Sequence, residues 1–206
     1  MALELPLASR QYGCGVWRGG LVISASTCKR VMKVIGFAGF SGSGKTTLIA
    51  AVIPLLVARG LRVSLIKHAH HDFEVDQPGK DSHRHRAAGA SEVLVASNRR
   101  WVLMHELRGA PEPSLDDHLR RLSDCDIALV EGFKREPIAK IEVHRAKAGL
   151  PLIYPADHHV VAVATDEKLA TLLPQLDIND PADIANFIQG YGNLAAMPLN
   201  KLSKAS

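Results

Sequence analysis

Cysteine is scarce in this chain of 206 residues. Cys14, Cys28 and Cys125 are widely spaced, and no C-x-x-C pair occurs. An odd, scattered set excludes a disulfide framework and a structural zinc site, and it fits a reducing compartment. Long hydrophobic runs are missing too. The longest apolar stretch, residues 48–58, is about half of what a bilayer-spanning helix needs. Residues 20–27 are only weakly apolar and carry no A-x-A cleavage pattern. The expectation is a soluble, cytoplasmic protein with no membrane partner. A surplus of positive charge also disappears once the chain is divided. The net charge is +4 with histidine neutral, and the sequence pI of about 9.1 points, taken whole, to an anionic partner. Yet residues 1–31 hold Arg10, Arg18, Lys29 and Arg30 against Glu4, and Lys201 and Lys204 lie near the C-terminus. Residues 32–191 carry 19 basic groups against 20 acidic ones. A basic face for nucleic acid is therefore not expected.

Apolar residues make up 47% of the chain and charged residues 22%, which suits one domain with a buried core. No amphipathic element emerges from residues 1–31. Met32 stands just before the first strand signal, so these residues are read as a misassigned start, with a flexible extension as the alternative. From there strand and helix signals alternate. Strands are expected at 33–38, 62–66, 91–96, 100–106, 126–130, 139–144 and 160–164. Helices are expected at 45–59, 81–88, 113–122, 167–173 and 181–189. Pro54 should kink the first helix, and Asp180 with Pro181 should start the last. Residues 192–206 read as a frayed tail. The recurrent order argues for an α/β fold, a mostly parallel β-sheet flanked by helices.

Residues 39–46 read Gly39-Phe40-Ser41-Gly42-Ser43-Gly44-Lys45-Thr46, which fills every fixed position of G-x-x-x-x-G-K-[ST], and Thr47 follows. A buried strand precedes the run and a helix follows it, as a P-loop nucleotide site requires. The glycines let successive N–H groups of Gly39, Ser41, Gly42, Ser43 and Gly44 turn toward phosphate oxygens. The helix N-terminus adds its positive end. Lys45 reaches the β- and γ-phosphates, and the Thr46 hydroxyl can ligate Mg²⁺. Glu131 closes the apolar strand 126–130, where a cation-holding or water-orienting acid is expected; its plainer reading is a solvated strand-end acid. The polar segment from Lys67 to Asp81 leaves the same sheet edge. Asp72, Asp76 and Asp81 are candidate Mg²⁺ carboxylates there, and Lys67 and Lys80 candidate phosphate contacts. For any one of them a solvated loop is the plainer reading.

The chain resembles the molybdopterin-guanine dinucleotide biosynthesis protein B family. The resemblance rests on residues 39–47 together with Ile-Lys-His-Ala-His-His-Asp at 66–72, Val-Asp-Gln-Pro-Gly-Lys-Asp-Ser at 75–82 and Ala-Gly-Ala at 88–90. It continues through Arg-Trp-Val-Leu-Met at 100–104, Leu-Val-Glu-Gly-Phe-Lys at 129–134, Ala-Lys-Ile at 139–141 and Asp-Ile-Asn-Asp at 177–180. The set spans residues 32–190, in order; residues 1–31 match nothing in it. It implies a P-loop fold, binding and weak hydrolysis of GTP with Mg²⁺, and a homodimer. It also implies a molybdopterin guanylyltransferase as protein partner and a molybdopterin-type cofactor as that partner's substrate. Lys45, Glu131 and Asp76 become the expected catalytic set, with Thr46, Glu131 and Asp76 around the metal.

Guanine needs a carboxylate to accept from its ring N–H and amine. The Asn-Lys-x-Asp motif is absent, and Asp166, after strand 160–164, is the candidate; capping of the 167–173 helix is its alternative. Ten histidines, with clusters at His68, His70 and His71 and at His83 and His85, raise the question of a transition metal. Three or four convergent ligands would be needed. Contact with phosphate or pterin by one or two of them is the favoured reading. Trp101 could stack on a pterin or a partner, or stand as an edge-strand aromatic in a dimer contact. Two further functions fit a P-loop: a small-molecule kinase recruiting Arg84, Arg86, Arg99 and Arg100, and a non-enzymatic nucleotide-dependent adaptor.

Overall fold

A computed structural model describes residues 32–69 and 73–191. The extension 1–31, the tail 192–206, and His70, His71 and Asp72 lie outside the described residues. In chain order the elements are β1 (Lys33–Ala38), α1 (Lys45–Ala58), β2 (Val63–Lys67), α2 (Asp81–Ala87), β3 (Glu92–Ala96), β4 (Trp101–His105) and α3 (Leu115–Arg121). They continue with β5 (Ile127–Glu131), β6 (Lys140–Val143), a 3₁₀ turn (Ala146–Ala148), β7 (Val160–Thr165), β8 (Gln175–Asp177) and α4 (Pro181–Gly190). Six strands form one sheet in the order β2-β5-β1-β6-β7-β8, and every pairing is parallel. All P-loop and strand-end residues therefore emerge at one edge.

Both faces of the sheet are covered, so its strands are apolar on both sides. Ile35, Phe37, Ile127 and Leu129 point toward α1 and α4, where Leu48, Ile49, Val52, Leu56, Ile184 and Ile188 complete a cluster. The alternate residues Val34, Ala128 and Val130 meet Leu115 and Leu119 of α3 on the opposite face. The period of two in β1 and β5 fixes which residues go to which layer. Helix α1 continues through Pro54 as a single element. It closes with Gly60 N–H to Val57 O at 2.8 Å and Leu61 N–H to Leu56 O at 3.3 Å, a Schellman pair. Helix α4 starts as its sequence predicts: Asp180 caps the Ala182 N–H with Pro181 in the first turn. Among the described residues no helix is long and apolar enough to cross a membrane.

Two expectations change. Residues 167–173 form no helix. Leu173 precedes Pro174, which disfavours the α conformation, and the Gln175 side chain bonds both the N–H and the C=O of Leu169 at 2.8 and 3.0 Å. These bonds give the segment a looped path into the short strand β8, which the sequence reading missed. The strands expected at 91–96 and 100–106 do pair, but as a separate two-stranded hairpin. It exposes Leu94, Val95, Trp101 and Leu103.

One buried ion pair ties the sheet to the site loop. Lys140 is almost fully buried; its Nζ donates to Asp157 Oδ2 at 2.6 Å and to Lys134 O at 2.7 Å. Burial alone would raise the Asp157 carboxyl. The hydrogen bonds from Lys140 and His159 outweigh it and hold the group at about 2, below its ordinary 3.8. Replacing Asp157 with Asn leaves the Lys140 charge buried without its counter-ion. Asp157→Asn is expected to cost about 3 kcal/mol at neutral pH by urea unfolding. A depressed carboxyl stabilises the fold above its unfolded value and loses that contribution as pH falls through the folded one. The gap between wild type and variant should therefore narrow between about pH 4 and pH 2.

Candidate functional site

The sequence-predicted P-loop runs from the end of β1 into α1. Gly39 adopts φ +152°, and a Cβ there would lie 2.6 Å from Val143 O and 2.7 Å from Ser43 Oγ. The loop is thus pressed against the end of β6. Gly44 precedes α1 with no side-chain cap, and the first turn holds no acid. The N–H groups and positive dipole end at the start of α1 therefore face the loop mouth without an internal anion to use them. Lys45 curls over the loop, its Nζ donating to Phe40 O at 2.7 Å and Gly39 O at 3.1 Å. Burial, then the positive charge of Lys134, lower the Lys45 ammonium below its ordinary value, while Glu131 opposes them. An incoming polyphosphate would relieve that deficit of negative charge.

Glu131 is buried at the end of β5. Its Oε1 accepts from Thr46 Oγ1 at 2.6 Å. The pairing Phe37↔Glu131 between β1 and β5 and Lys67↔Glu131 between β2 and β5 brings the three strand ends level. Lys67 Nζ lies 3.3 Å from Thr46 Oγ1 and 3.3 Å from Glu131 Oε1. A hydroxyl and a carboxylate side by side are the hard oxygen donors that suit Mg²⁺. The ammonium already seated on both shows that the pair attracts a cation. These residues fit the metal that a P-loop uses.

The other expected residues fall into separate groups. Asp166 Oδ1 accepts from Ala146 N at 2.9 Å, and Oδ2 from Arg145 at 3.4 Å. These contacts, led by the Ala146 N–H, hold its carboxyl below the usual range. With no helix at 167–173, the capping alternative lapses. Asp76 accepts from Ser82 Oγ at 2.8 Å and from Gln77 N at 3.0 Å; none of its hydrogen bonds among the described residues reaches Lys45, Thr46 or Glu131. Asp81 pairs with Arg84 on α2. His68 leaves β2 beside Glu131, with its N–H on Glu131 O at 2.9 Å and its ring 2.8 Å from Glu112 Oε1. Phe133, at φ +47°, packs tilted against the His68 ring, with centroids 4.8 Å apart. These residues border a cleft of about 640 Å³ reaching Lys134, whose ammonium lies over the Phe40 ring of the P-loop. Asp157, His158 and His159 are the metal-capable cluster among the described residues, but the Lys140 ammonium sits on Asp157 and opposes a second cation.

Arg145 is the residue that sequence reading missed. Its Nε lies 3.3 Å from where a Cβ on Gly44 would stand, and its guanidinium reaches Asn179 Oδ1 at 3.3 Å as well as Asp166. Its only sequence signal was its place just past β6, at the ligand-binding edge of a parallel sheet.

Comparison with known proteins agrees with this fold. The family model for molybdopterin guanine dinucleotide synthesis protein B matches residues 34–166. The molybdopterin-guanine dinucleotide biosynthesis adapter protein of Escherichia coli (strain K12) is 48% identical over 163 residues, covering 78% of this chain and 93% of that protein. The protein of the same name from Haemophilus influenzae is 47% identical over 161 residues, 77% of this chain and 88% of the relative. A crystal structure of molybdopterin-guanine biosynthesis protein B superposes with a TM-score of 0.62 at 27% identity, covering 77% of this chain and 99% of that one. The fold is that of the P-loop nucleotide-binding proteins.

The tight packing at Gly39 separates two otherwise similar glycines. Gly42 also has a positive φ, +79°, but nothing lies within 4 Å of a Cβ there. Gly42→Ala should cost about 1 kcal/mol, the left-handed backbone penalty alone. Gly39→Ala adds a backbone collision and should cost at least about 2 kcal/mol. Urea midpoints of the two variants measured side by side check the order.

Proposed function

The chain belongs to the molybdopterin guanine dinucleotide synthesis protein B family, and from that premise we propose that it is a GTP-dependent adapter in the formation of molybdopterin guanine dinucleotide. The observation that carries the reading is the Thr46–Glu131 contact of 2.6 Å at the mouth of the P-loop. A hydroxyl and an acid side by side there support a nucleotide-bound cation.

In this reading the amides of Gly39, Ser41, Gly42, Ser43 and Gly44, with Thr47 in the first helical turn, enclose the phosphates. Lys45 exchanges its carbonyl partners for the β- and γ-phosphates. Thr46 and Glu131 hold Mg²⁺, which supplies charge neutralisation on the triphosphate. Glu131 also orients the attacking water. One acid with two duties suits slow hydrolysis that resets the adapter. Asp166 reads guanine, and Arg145 connects it to Gly44. The partner is the molybdopterin guanylyltransferase, whose substrate is the molybdopterin-type cofactor. The exposed apolar hairpin β3–β4 supports association with that partner or a second copy of the chain.

Titration with GTP, GDP and ATP in Mg²⁺ tests the reading. Wild type should bind GTP, and Lys45→Ala should weaken it about 10- to 100-fold, as loss of charge-assisted hydrogen bonds implies. Asp166→Ala should weaken GTP about tenfold and leave inorganic triphosphate binding unchanged. A wild type that binds no nucleotide overturns the proposal, and equal GTP affinity in Asp166→Ala removes the base-reading role.

A further inference from the structure

Lys67 ends β2 directly across from Glu131, and its side chain turns to the P-loop rather than to solvent alone. Its ammonium contacts the two oxygens assigned above to the cation, Thr46 Oγ1 and Glu131 Oε1, each at 3.3 Å. The acid it neutralises is 8% exposed at the side chain, whereas Lys67 itself is 52% exposed. The two sides of the pair are therefore unequal. Glu131 is held in place by the sheet and by Thr46, while the lysine is a long tether free to swing into the open mouth. The neighbouring lysines are differently committed: Lys45 to the carbonyls of Gly39 and Phe40, and Lys134 to the face of Phe40.

We propose that Lys67 is an internal counter-cation that holds the Thr46–Glu131 pair in the nucleotide-free protein, so that Mg²⁺ enters only together with a polyphosphate. Without nucleotide, a divalent ion arriving at these oxygens meets a positive charge within a few ångströms, in a site whose one acid is already neutralised. A polyphosphate changes both terms. It offers Lys67 new anionic partners, and it adds oxygen ligands to the cation. Cation and nucleotide then bind with positive coupling, which by linkage acts equally on both. Lys67 is a positioning residue in this scheme: it acts through Thr46 and Glu131. The inference rests on the reading of the P-loop as a cation–nucleotide site.

Mn²⁺ is the probe, followed by its paramagnetic resonance as it binds the full chain without nucleotide. Wild type should bind it weakly. Lys67→Met, which keeps the stem and removes the charge, should bind roughly tenfold tighter. Lys67→Gln should do the same, and Lys67→Arg should stay close to wild type. The gain should vanish in the double variant Thr46→Val/Lys67→Met, which locates the extra ion at the P-loop. The factor by which GTP tightens Mn²⁺ binding should fall in Lys67→Met by about the gain in its nucleotide-free affinity. A structural defect would lower affinity, so it cannot imitate this gain. Equal Mn²⁺ affinity of the nucleotide-free wild type and the folded Met and Gln variants overturns the inference. A wild type that binds Mn²⁺ no better with GTP than without it defeats instead the underlying reading of the P-loop.

Discussion

The parallel pairing of β1 with β5 is the constraint on which the site depends. β1 delivers the chain into the phosphate loop, and β5 ends in Glu131. Their register, with Phe37 opposite Glu131, decides whether the start of α1 meets that acid. A slip of one residue would move the strand end by about 3.3 Å and turn every side chain to the other face. The second consequence prevents the first. Ile35, Phe37, Ile127 and Leu129 fill the layer under α1 and α4, while Val34, Ala128 and Val130 fill the layer under α3. Core packing on both sides thus sets the Thr46–Glu131 distance at the edge.

Electrostatics then works locally. Residues 32–191 are nearly neutral, with 19 basic against 20 acidic groups, yet Lys67, Lys134 and the buried Glu131 all act on Lys45. Backbone amides of the loop and of the first turn of α1 add to the same sign. Such a site is short of negative charge and suits an anion. The charged termini that dominate the bulk pI are irrelevant to this arrangement. The Lys140–Asp157 pair belongs to the same economy of placement, because Lys140 also holds the Lys134 carbonyl and so anchors the loop that brings the Lys134 ammonium to Phe40.

Much of this was legible in the sequence because its determinants are local. The P-loop is a contiguous run whose glycines, lysine and threonine each have one chemical reason. Glu131 stood out as the first charge after an unbroken apolar strand, and Asp180-Pro181 announced α4 by capping chemistry. What escaped depends on contacts between distant segments. Residues 167–173 have helix-forming composition, but the Gln175 side chain and Pro174 impose a loop. β8 is three residues long, too short to show an alternation. Arg145 gains meaning only when β6 is laid beside β1, which brings its guanidinium to Gly44. The hairpin β3–β4 reads as two ordinary strands; that it stands apart from the main sheet follows from pairing, which no stretch of sequence displays.

Hydrogen–deuterium exchange of the full chain, with and without GTP and Mg²⁺, tests the central claim most directly. The expected result is slowed exchange confined to the amides of residues 39–47 and the end of β5 around Glu131, with smaller protection near Arg145 and Asp166. Protection centred on another surface, with residues 39–47 exchanging as before, would contradict the assignment of this loop as the nucleotide site.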